Sequence, residues 1–210
     1  MNFMTGRQYG TDRLAEDRLA PDPLNQFNQW LAEATQSSTL DPTAMVLATV
    51  DEQGLPEARV VLLKQVTEEG FVFFTHYTSP KARQAESSGV VALNFYWPAL
   101  ARQVRIKGQI KRLTREASVA YFATRPRESQ ISTAASQQSA VISDRSEWEQ
   151  RMQAIATQYA DQPIPCPDYW GGYCVVPYEF EFFQGRDARI NDRLRYRLIK
   201  QQWQIDRLSP

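Results

Sequence analysis

Hydrophobic positions along this chain follow two spacings, one typical of helices and one typical of strands. The first apolar series has helical spacing and follows Asp22-Pro23: Leu24, Phe27, Trp30 and Leu31. A helix is therefore expected to begin at this Asp-Pro pair. The preceding twenty residues are polar and mixed in charge, which predicts a flexible N-terminal arm over residues 1–20 and a domain over residues 21–210.

Apolar runs of strand length, separated by turn residues, follow the first helix. The predicted strands are Ala44–Val50, Ala58–Lys64, Phe71–Thr75, Val90–Trp97, Arg102–Leu113, Tyr173–Pro177, Glu179–Gln184, and a closing pair near Arg195–Ile199 and Trp203–Leu208. Within Arg102–Leu113, apolar and polar side chains alternate, which predicts one buried and one exposed face. Short strands at hairpin spacing, interrupted by helices, predict one α+β domain built on an antiparallel barrel.

Three further helices are predicted from capping signals. Ser79-Pro80 has the form of an N-cap followed by a first-turn proline, and Gly89 is expected to end that helix. Thr114 is expected to cap the next helix. The residues 146–149 have the Ser-x-x-Glu form of a capping box, followed by an apolar stripe expected to pack in the core: Trp148, Met152, Ile155 and Tyr159. Asp161–Tyr169 contains three prolines and is expected to be a loop.

Composition limits the possible functions. The 210 residues are enough for one sizeable core, and the 24 basic residues balance 24 acidic ones, so bulk attraction to nucleic acid or membrane is not expected. Eight Lys or Arg residues but only one acid lie between Leu100 and Arg127, which favours local anion binding. The absence of a long apolar run or signal core and the two isolated cysteines indicate a cytoplasmic protein with free thiols.

Scarce residue types exclude several chemistries. His76 is the single histidine, so histidine-activated nucleophiles and multi-histidine metal sites are not expected, and no metal is predicted. His76 itself is expected to lie in a loop. The chain has nine glycines and no Gly-rich phosphate-binding motif. Arginine, lysine and hydroxyl groups remain, and these suit an organic cofactor that carries the reaction itself.

Two polar segments are the candidates for anion binding. Tyr121–Ser139 combines arginines with hydroxyl and amide side chains, and Arg189–Tyr196 is a second cationic cluster. Arginine forks form charge-assisted bonds to phosphate oxygens, which hydroxyls and amides complete. The two segments together predict a site for phosphorylated small molecules, although the first segment alone fits a solvated helix-and-loop surface equally well.

Local motifs in a distinctive order carry a family resemblance over nearly the whole chain. They are RVVLLK (59–64), FFT (73–75), SPK (79–81), RQVRIKG (102–108), the YFATRPRESQI…QQS tract, WGGY (170–173), EFFQG (181–185) and RINDR (189–193). The sequence resembles the pyridoxamine 5′-phosphate oxidase family. The resemblance implies an FMN-binding split β-barrel that works as a homodimer, with flavin sites at the subunit interface.

The same resemblance implies an activity and the residues that carry it. The implied enzyme oxidises pyridoxamine or pyridoxine 5′-phosphate to pyridoxal 5′-phosphate with dioxygen and releases hydrogen peroxide. The implied FMN contacts are Arg59, Val60, Val61, Leu62, Lys64, Phe74, Thr75, Lys81, Gln103, Gln138, Ser139, Phe183 and Arg193. The implied substrate contacts are Arg7, Tyr9, Lys64, Tyr121, Arg125, Ser129, Arg189 and Asn191, of which Arg189 and Asn191 are the candidate catalytic residues.

The residues themselves support these roles unequally. Lys64 at a strand end and Gln103 on a polar face are also compatible with ordinary solvated side chains. Arg59 is harder to explain as a solvated residue, because an unpaired arginine inside an apolar strand would be costly. On an ideal strand Arg59 and Lys64 point to opposite faces, which favours two different phosphate groups.

The chain departs from the family pattern at four positions. Asn191 replaces a histidine, Pro80 an arginine near the flavin phosphate, Phe183 a tryptophan and Ala134 another tryptophan. An asparagine exchanges hydrogen bonds but cannot act as a titrating base. Two alternatives therefore stay open: a related FMN oxidase acting on a different ring compound, or a barrel that binds flavin, pyridoxal phosphate or RNA without catalysis.

Overall fold

The computed structural model describes residues 12–37 and 40–210. Its helices are α1 (Pro23–Gln36), α2 (Pro80–Ser88), α3 (Arg115–Thr124), α4 (Arg127–Ala135) and α5 (Arg145–Gln158). Its strands are β1 (Ala44–Val50), β2 (Pro56–Leu62), β3 (Gln65–Val66), β4 (Phe71–His76), β5 (Val90–Trp97), β6 (Arg102–Arg112), β7 (Trp170–Gln184), β8 (Asp192–Ile199) and β9 (Gln202–Leu208). None of the helices in the described residues is long and apolar enough to span a bilayer.

The strands form one curled antiparallel sheet. Its main path runs β2-β1-β5-β6-β7-β4-β3, and β8 extends it from β7 to β9. β7 is long enough to pair with three strands, because β4 lies along residues 170–175 and β8 along residues 179–184, while β6 follows both parts. This arrangement confirms the predicted antiparallel barrel with flanking helices.

Aromatic side chains fill the interior of the curled sheet. Phe27 of α1 is fully buried and lies edge-on to Phe71 and Phe95, with ring centroids 4.8 Å away in both cases. Trp30, one turn later, packs edge-on against Phe182 of β7. Each large buried ring contributes about 2–3 kcal/mol of hydrophobic stabilisation. Helix α1 therefore closes the barrel on one side.

Most predicted caps agree with the structure. Asp22 accepts a hydrogen bond from the Asn25 N–H and Thr114 from the Ala117 N–H, so α1 and α3 begin as expected. Gly89 ends α2 with a φ of 70°, the left-handed conformation that glycine adopts at low cost. The capping-box prediction at Ser146 is wrong, because Asp144 caps α5 by accepting from the N–H groups at 146 and 147.

Two predictions on core packing and strand limits are wrong. The apolar stripe of α5 lies on a half-buried face and none of its side chains is buried; of its four residues, Tyr159 alone packs against a core cluster, that of Phe122, Ile164 and Trp170. The predicted strands Tyr173–Pro177 and Glu179–Gln184 form the single strand β7. Pro177 is tolerated there because it faces Gly108, where the β6–β7 register shifts and the regular hydrogen-bond ladder is interrupted.

Part of the segment predicted as an arm contacts the barrel. Leu14 is 7% exposed and belongs to the main hydrophobic cluster. Its backbone N–H donates to Asp192, and the Tyr196 hydroxyl donates to the Ala20 carbonyl. Residues 14–20 are thus tied to β8. The division into an arm and a domain stays a prediction, and residues 1–11 lie outside the described part of the chain.

Candidate active site

A cavity of about 670 Å³ opens beside β2 and the end of β4. Helices α2, α3 and α4 and the loop after α4 form its other walls. Its lining brings together most of the predicted site residues: Arg59, Val60, Val61, Leu62, Lys64, Phe74, Thr75, Lys81, Tyr121, Arg125, Ser129, Gln138 and Ser139. Residues far apart in the sequence therefore converge on one site, which we call the cationic cavity.

Arg59 is held at the cavity wall by neighbours on two strands. Its Nη1 donates to the Thr49 hydroxyl at 2.6 Å, and its Nη2 pairs with the Glu57 carboxylate at 2.9 Å. An unpaired arginine in an apolar strand would be costly, but Arg59 is paired. Its partner Glu57 lies two positions earlier and therefore on the same face of β2. Arg59 and Lys64 both line the cavity, as do the intervening Val60–Leu62, so the predicted placement of the two cations on opposite faces stays a prediction. Strand β2 ends at Leu62, before the alternation reaches Lys64.

A polar network joins β4, α2 and the loop after α4. The Lys81 ammonium donates to Gln138 Oε1 at 2.8 Å, and the Thr75 hydroxyl donates to the same oxygen at 3.1 Å. Burial, reinforced by the nearby charge of Arg59, lowers the pKa of Lys81. Ser139 has a left-handed φ of 69°, a strained conformation for a residue with a side chain. The network fixes donors from three elements before any ligand arrives.

The opposite wall carries Arg125 and Tyr121. Arg125 Nη1 donates to the Thr133 hydroxyl at 2.6 Å, and its guanidinium lies 4.8 Å from the centre of the Trp170 ring. Tyr121 stacks on Phe74 with ring centroids 3.9 Å apart. Burial raises the pKa of Tyr121 and lowers that of Arg125. Ring contacts and a hydroxyl thus orient this arginine, while its charge has no carboxylate partner among the described residues.

The donor set of the cavity fits phosphate groups. It contains two arginines, two lysines, hydroxyls and an amide, and its one carboxylate, Glu57, is already paired with Arg59. Arg59 lies on β2 and Lys81 on α2, whereas Tyr121 lies on α3, Ser129 on α4 and Arg125 at the end of α3. Such a set suits the phosphate of FMN at one side and a substrate phosphate at the other. Among the described residues, no group of His, Cys, Asp and Glu could hold a metal ion.

The remaining predicted flavin contacts lie on a different part of the sheet. Gln103 of β6, Phe183 of β7 and Arg193 of β8 stand side by side in register and therefore share one face. We call these three residues the flavin strip. Gln103 lines a separate cavity of about 450 Å³, and none of the three lines the cationic cavity of the same protomer.

The two candidate catalytic residues lie in the loop before β8. Arg189 is exposed, with a left-handed φ of 61°, and does not line the cationic cavity of its own protomer. Asn191 Oδ1 accepts the Arg186 N–H at 3.0 Å, so this amide closes the loop that carries Arg189. The other predicted substrate contacts, Arg7 and Tyr9, lie outside the described residues.

His76 does not occupy a loop, as the sequence suggested, but is the last residue of β4. It is 4% exposed, and its Nδ1 has no hydrogen-bond partner among the described residues. Burial, helped by the charges of Lys81 and Arg125, lowers its pKa to about 4. The imidazole is therefore neutral near pH 7.

Several side chains that support the site were not identified from sequence. Glu57 and Thr49 hold Arg59, Thr133 holds Arg125, and Glu181 pairs with Arg193 at 2.9 Å. The same-face spacing of Glu57 and Arg59 was a usable signal. The other pairs join elements distant in the sequence, so no local pattern indicates them.

The curled antiparallel sheet places this protein in the split-barrel class. PhzG from Burkholderia lata 383, solved with tetrahydrophenazine-1-carboxylic acid, matches with a TM-score of 0.88 at 27% identity, over 95% of this chain and 98% of that chain. A pyridoxamine 5′-phosphate oxidase-related, FMN-binding protein from Nostoc punctiforme shares the fold, with a TM-score of 0.73 at 17% identity, over 91% of this chain and all of that one.

Sequence comparison identifies the family within this class. Residues 31–159 match pyridoxamine 5′-phosphate oxidase, and residues 170–210 match the pyridoxine 5′-phosphate oxidase C-terminal dimerisation region. Relatives named pyridoxine/pyridoxamine 5′-phosphate oxidase are 45% identical in Legionella pneumophila (97% of this chain, 95% of the relative) and 48% in Haemophilus influenzae (97% and 96%). The chain belongs to the pyridoxamine 5′-phosphate oxidase family, as its motifs indicated, and carries the family's dimerisation region.

Proposed function

We propose that this protein is an FMN-dependent oxidase that converts pyridoxamine or pyridoxine 5′-phosphate to pyridoxal 5′-phosphate, using dioxygen and releasing hydrogen peroxide. The observation that carries the proposal is the convergence of the predicted flavin and substrate contacts on one cationic cavity. The family membership gives this cavity its chemical meaning. The compartment is expected to be the cytoplasm.

The residues of the cavity have distinct roles in this proposal. Arg59, Lys81 and the Gln138–Ser139 loop hold the FMN phosphate, while Val60–Leu62 provide an apolar wall for the ring. Lys64, Tyr121, Arg125 and Ser129 hold the substrate phosphate. When bound, FMN supplies a two-electron acceptor that dioxygen can reoxidise. The protein contributes orientation, because anchored phosphate groups fix the distance between the substrate ring and the flavin.

We infer that a second copy of the chain completes each site. Gln103, Phe183, Arg189, Asn191 and Arg193 lie away from the cationic cavity of their own protomer, and four of these five belong to the dimerisation region. Strand β2 also presents exposed apolar residues beside the cavity, with Val60 65% exposed. In this arrangement the partner's flavin strip would face the flavin, and the partner's Arg189 would orient the substrate ring.

The experiment combines cofactor identity with turnover. The purified protein is expected to be yellow, to release FMN on denaturation as identified by mass spectrometry, and to form pyridoxal 5′-phosphate and peroxide from at least one of the two vitamers. An FMN-loaded protein that forms no pyridoxal 5′-phosphate from either vitamer would contradict the proposal.

A related oxidase with another ring substrate is the second candidate. The structural likeness to PhzG, solved with a phenazine-type carboxylic acid, favours it. The replacement of the family histidine by Asn191 also changes the loop expected to face the substrate. A substrate panel with peroxide release as the readout separates the two, because only the first candidate oxidises pyridoxamine or pyridoxine 5′-phosphate.

A further inference from the structure

Glu181 is a buried carboxylate that contacts two arginines at once. It lies on β7, is 9% exposed, and pairs with Arg105 Nη1 at 3.0 Å and with Arg193 Nε at 2.9 Å. A buried carboxylate is costly unless charged donors satisfy both oxygens, and here each oxygen receives one. The arrangement therefore holds both guanidinium groups in defined positions.

Arg193 is fixed at a second atom. Its Nη1 donates to the Ser209 carbonyl at 2.9 Å, so two of its three nitrogens are engaged from one side. Within the part of the chain that the structure describes, Nη2 has no partner. A planar guanidinium bonded at Nε and Nη1 cannot rotate freely. The N–H groups of Arg193 Nη2 therefore point in one fixed direction.

The position of Glu181 relative to the flavin strip explains which contact it supports. Glu181 precedes Phe183 by two residues on β7 and therefore lies on the same face of the sheet, one step behind the strip. It reaches diagonally to Arg193, whose direct neighbour in register is Phe183. The carboxylate is thus adjacent to the strip without being part of it.

We propose that Glu181 is a positioning residue, which holds the Arg193 guanidinium in the orientation that contacts FMN. The inference rests on the proposed function, since it assumes that Arg193 faces flavin. Without the carboxylate, Arg193 would lose its hydrogen bond at Nε and become less ordered. Flavin binding would then have to order this side chain, which lowers the net affinity for FMN. Glu181 therefore acts on cofactor affinity through Arg193.

Glu179 offers a matched control. It lies on the same strand and face, and pairs with Lys107 of β6 at 2.9 Å, as Glu181 pairs with Arg105. No contact joins Glu179 to Arg193 among the described residues. Glu179→Gln and Glu181→Gln therefore remove the same charge from neighbouring positions, and only the second removes a charged partner of Arg193.

The test measures FMN affinity of FMN-free protein by quenching of flavin fluorescence. Glu181→Gln is expected to raise the Kd about tenfold, the usual effect of weakening one charge-assisted bond, while Glu179→Gln stays within about twofold of wild type. Glu181→Asp, which keeps the charge but withdraws the oxygens by one methylene, should also raise the Kd. It serves as the test if the glutamine variant does not fold, as judged by circular dichroism.

A double-mutant cycle separates positioning from a general structural effect. In an Arg193→Gln background, adding Glu181→Gln is expected to change the FMN Kd by less than about twofold, because the residue it positions is already gone. Equal effects of Glu181→Gln with and without Arg193 would overturn the inference, and so would equal effects of the two glutamate variants. If wild-type protein bound no FMN, the proposed function itself would fail.

Discussion

Three cations of the cationic cavity are oriented by three kinds of neighbour. Arg59 has a carboxylate partner in Glu57, Lys81 donates to an amide, and Arg125 donates to a hydroxyl and lies against a ring. The charge is therefore neutralised only at Arg59. An anionic ligand should therefore gain most binding free energy at Lys81 and Arg125, because no carboxylate competes with it there.

Replacement of Arg125 tests this difference at a single residue. Arg125→Lys keeps a positive charge but loses the fork, so the KM for the phosphorylated vitamer is expected to rise about tenfold while the Kd for FMN is nearly unchanged. Steady-state kinetics and flavin titration measure the two quantities. Arg145→Lys, on the exposed face of α5, is the control. A parallel rise in the Kd for FMN would show that Arg125 does not serve the substrate side alone.

His76 should make stability depend on pH. Its folded pKa of about 4 lies below the unfolded value of about 6.5, so the unfolded chain binds the proton more tightly and stability falls as pH drops between these values. The expected loss between pH 7 and pH 5 is about 2 kcal/mol, measured by urea unfolding. His76→Phe keeps a ring beside Tyr169 and should lose less over this interval. Equal losses of stability in the wild type and in His76→Phe would show that this pH dependence does not come from His76.

At the scale of elements, β8 and β9 hold the described N-terminal segment. Asp192 accepts from the Leu14 N–H at 3.1 Å and from Arg207 Nη1 at 2.8 Å, and Arg207 also pairs with Glu16 at 2.7 Å. Arg207 lowers the pKa of Glu16 to about 2. This cluster links residues 14–16 to the strand that follows the Arg189 loop.

Asp192→Asn is expected to reduce the free energy of unfolding by about 2 kcal/mol, because one largely buried acceptor loses its charge while Arg207 keeps its own. Asp206→Asn is the matched control: Asp192 pairs with Arg207 and Arg186, and Asp206 likewise contacts two arginines but is more exposed. Asp206→Asn is expected to reduce the free energy of unfolding by less than about 1 kcal/mol. Equal urea midpoints for the two variants would show that Asp192 does not anchor the segment.

Sequence patterns predicted the helices and strands that have strong local signals. They missed the features that depend on contacts between residues distant in the sequence. Strands β1 and β5 have the predicted limits, and Asp22 caps α1, because apolar runs and caps are local features. The continuity of β7 depends on where Pro177 lies relative to β6, which no local pattern reveals. The cavity residues were found through the order of family motifs, whereas supports such as Thr133 and Glu181 depend on tertiary contacts.

At the scale of the whole molecule, subunit complementation tests the shared site. Arg125→Ala damages the cationic cavity and Arg189→Ala damages the loop expected to reach the partner, so each homodimer should be nearly inactive. Randomly paired subunits give half mixed dimers, each with one intact site, and the mixture should recover about a quarter of wild-type activity.

The control for complementation mixes two cavity variants, Arg125→Ala and Lys64→Ala. Every site in those mixed dimers carries a damaged cavity, so no recovery is expected. Peroxide release measures activity, and separately tagged subunits confirm that mixed dimers form. Inactivity of the Arg125–Arg189 mixture, despite confirmed mixed dimers, would show that each site is built from one chain.

The length of β7 has a consequence for how oxygen chemistry is controlled. Trp170, at its start, contacts Arg125, and Phe183, near its end, belongs to the flavin strip. Phe183 follows Trp170 by thirteen positions along the strand, a path of roughly 40 Å at about 3.3 Å per residue. If each site is shared between two copies, as proposed, a newly made single copy would hold only half of it. In that arrangement peroxide production would begin only after assembly, and the folding chain and its neighbours would be spared this oxidant.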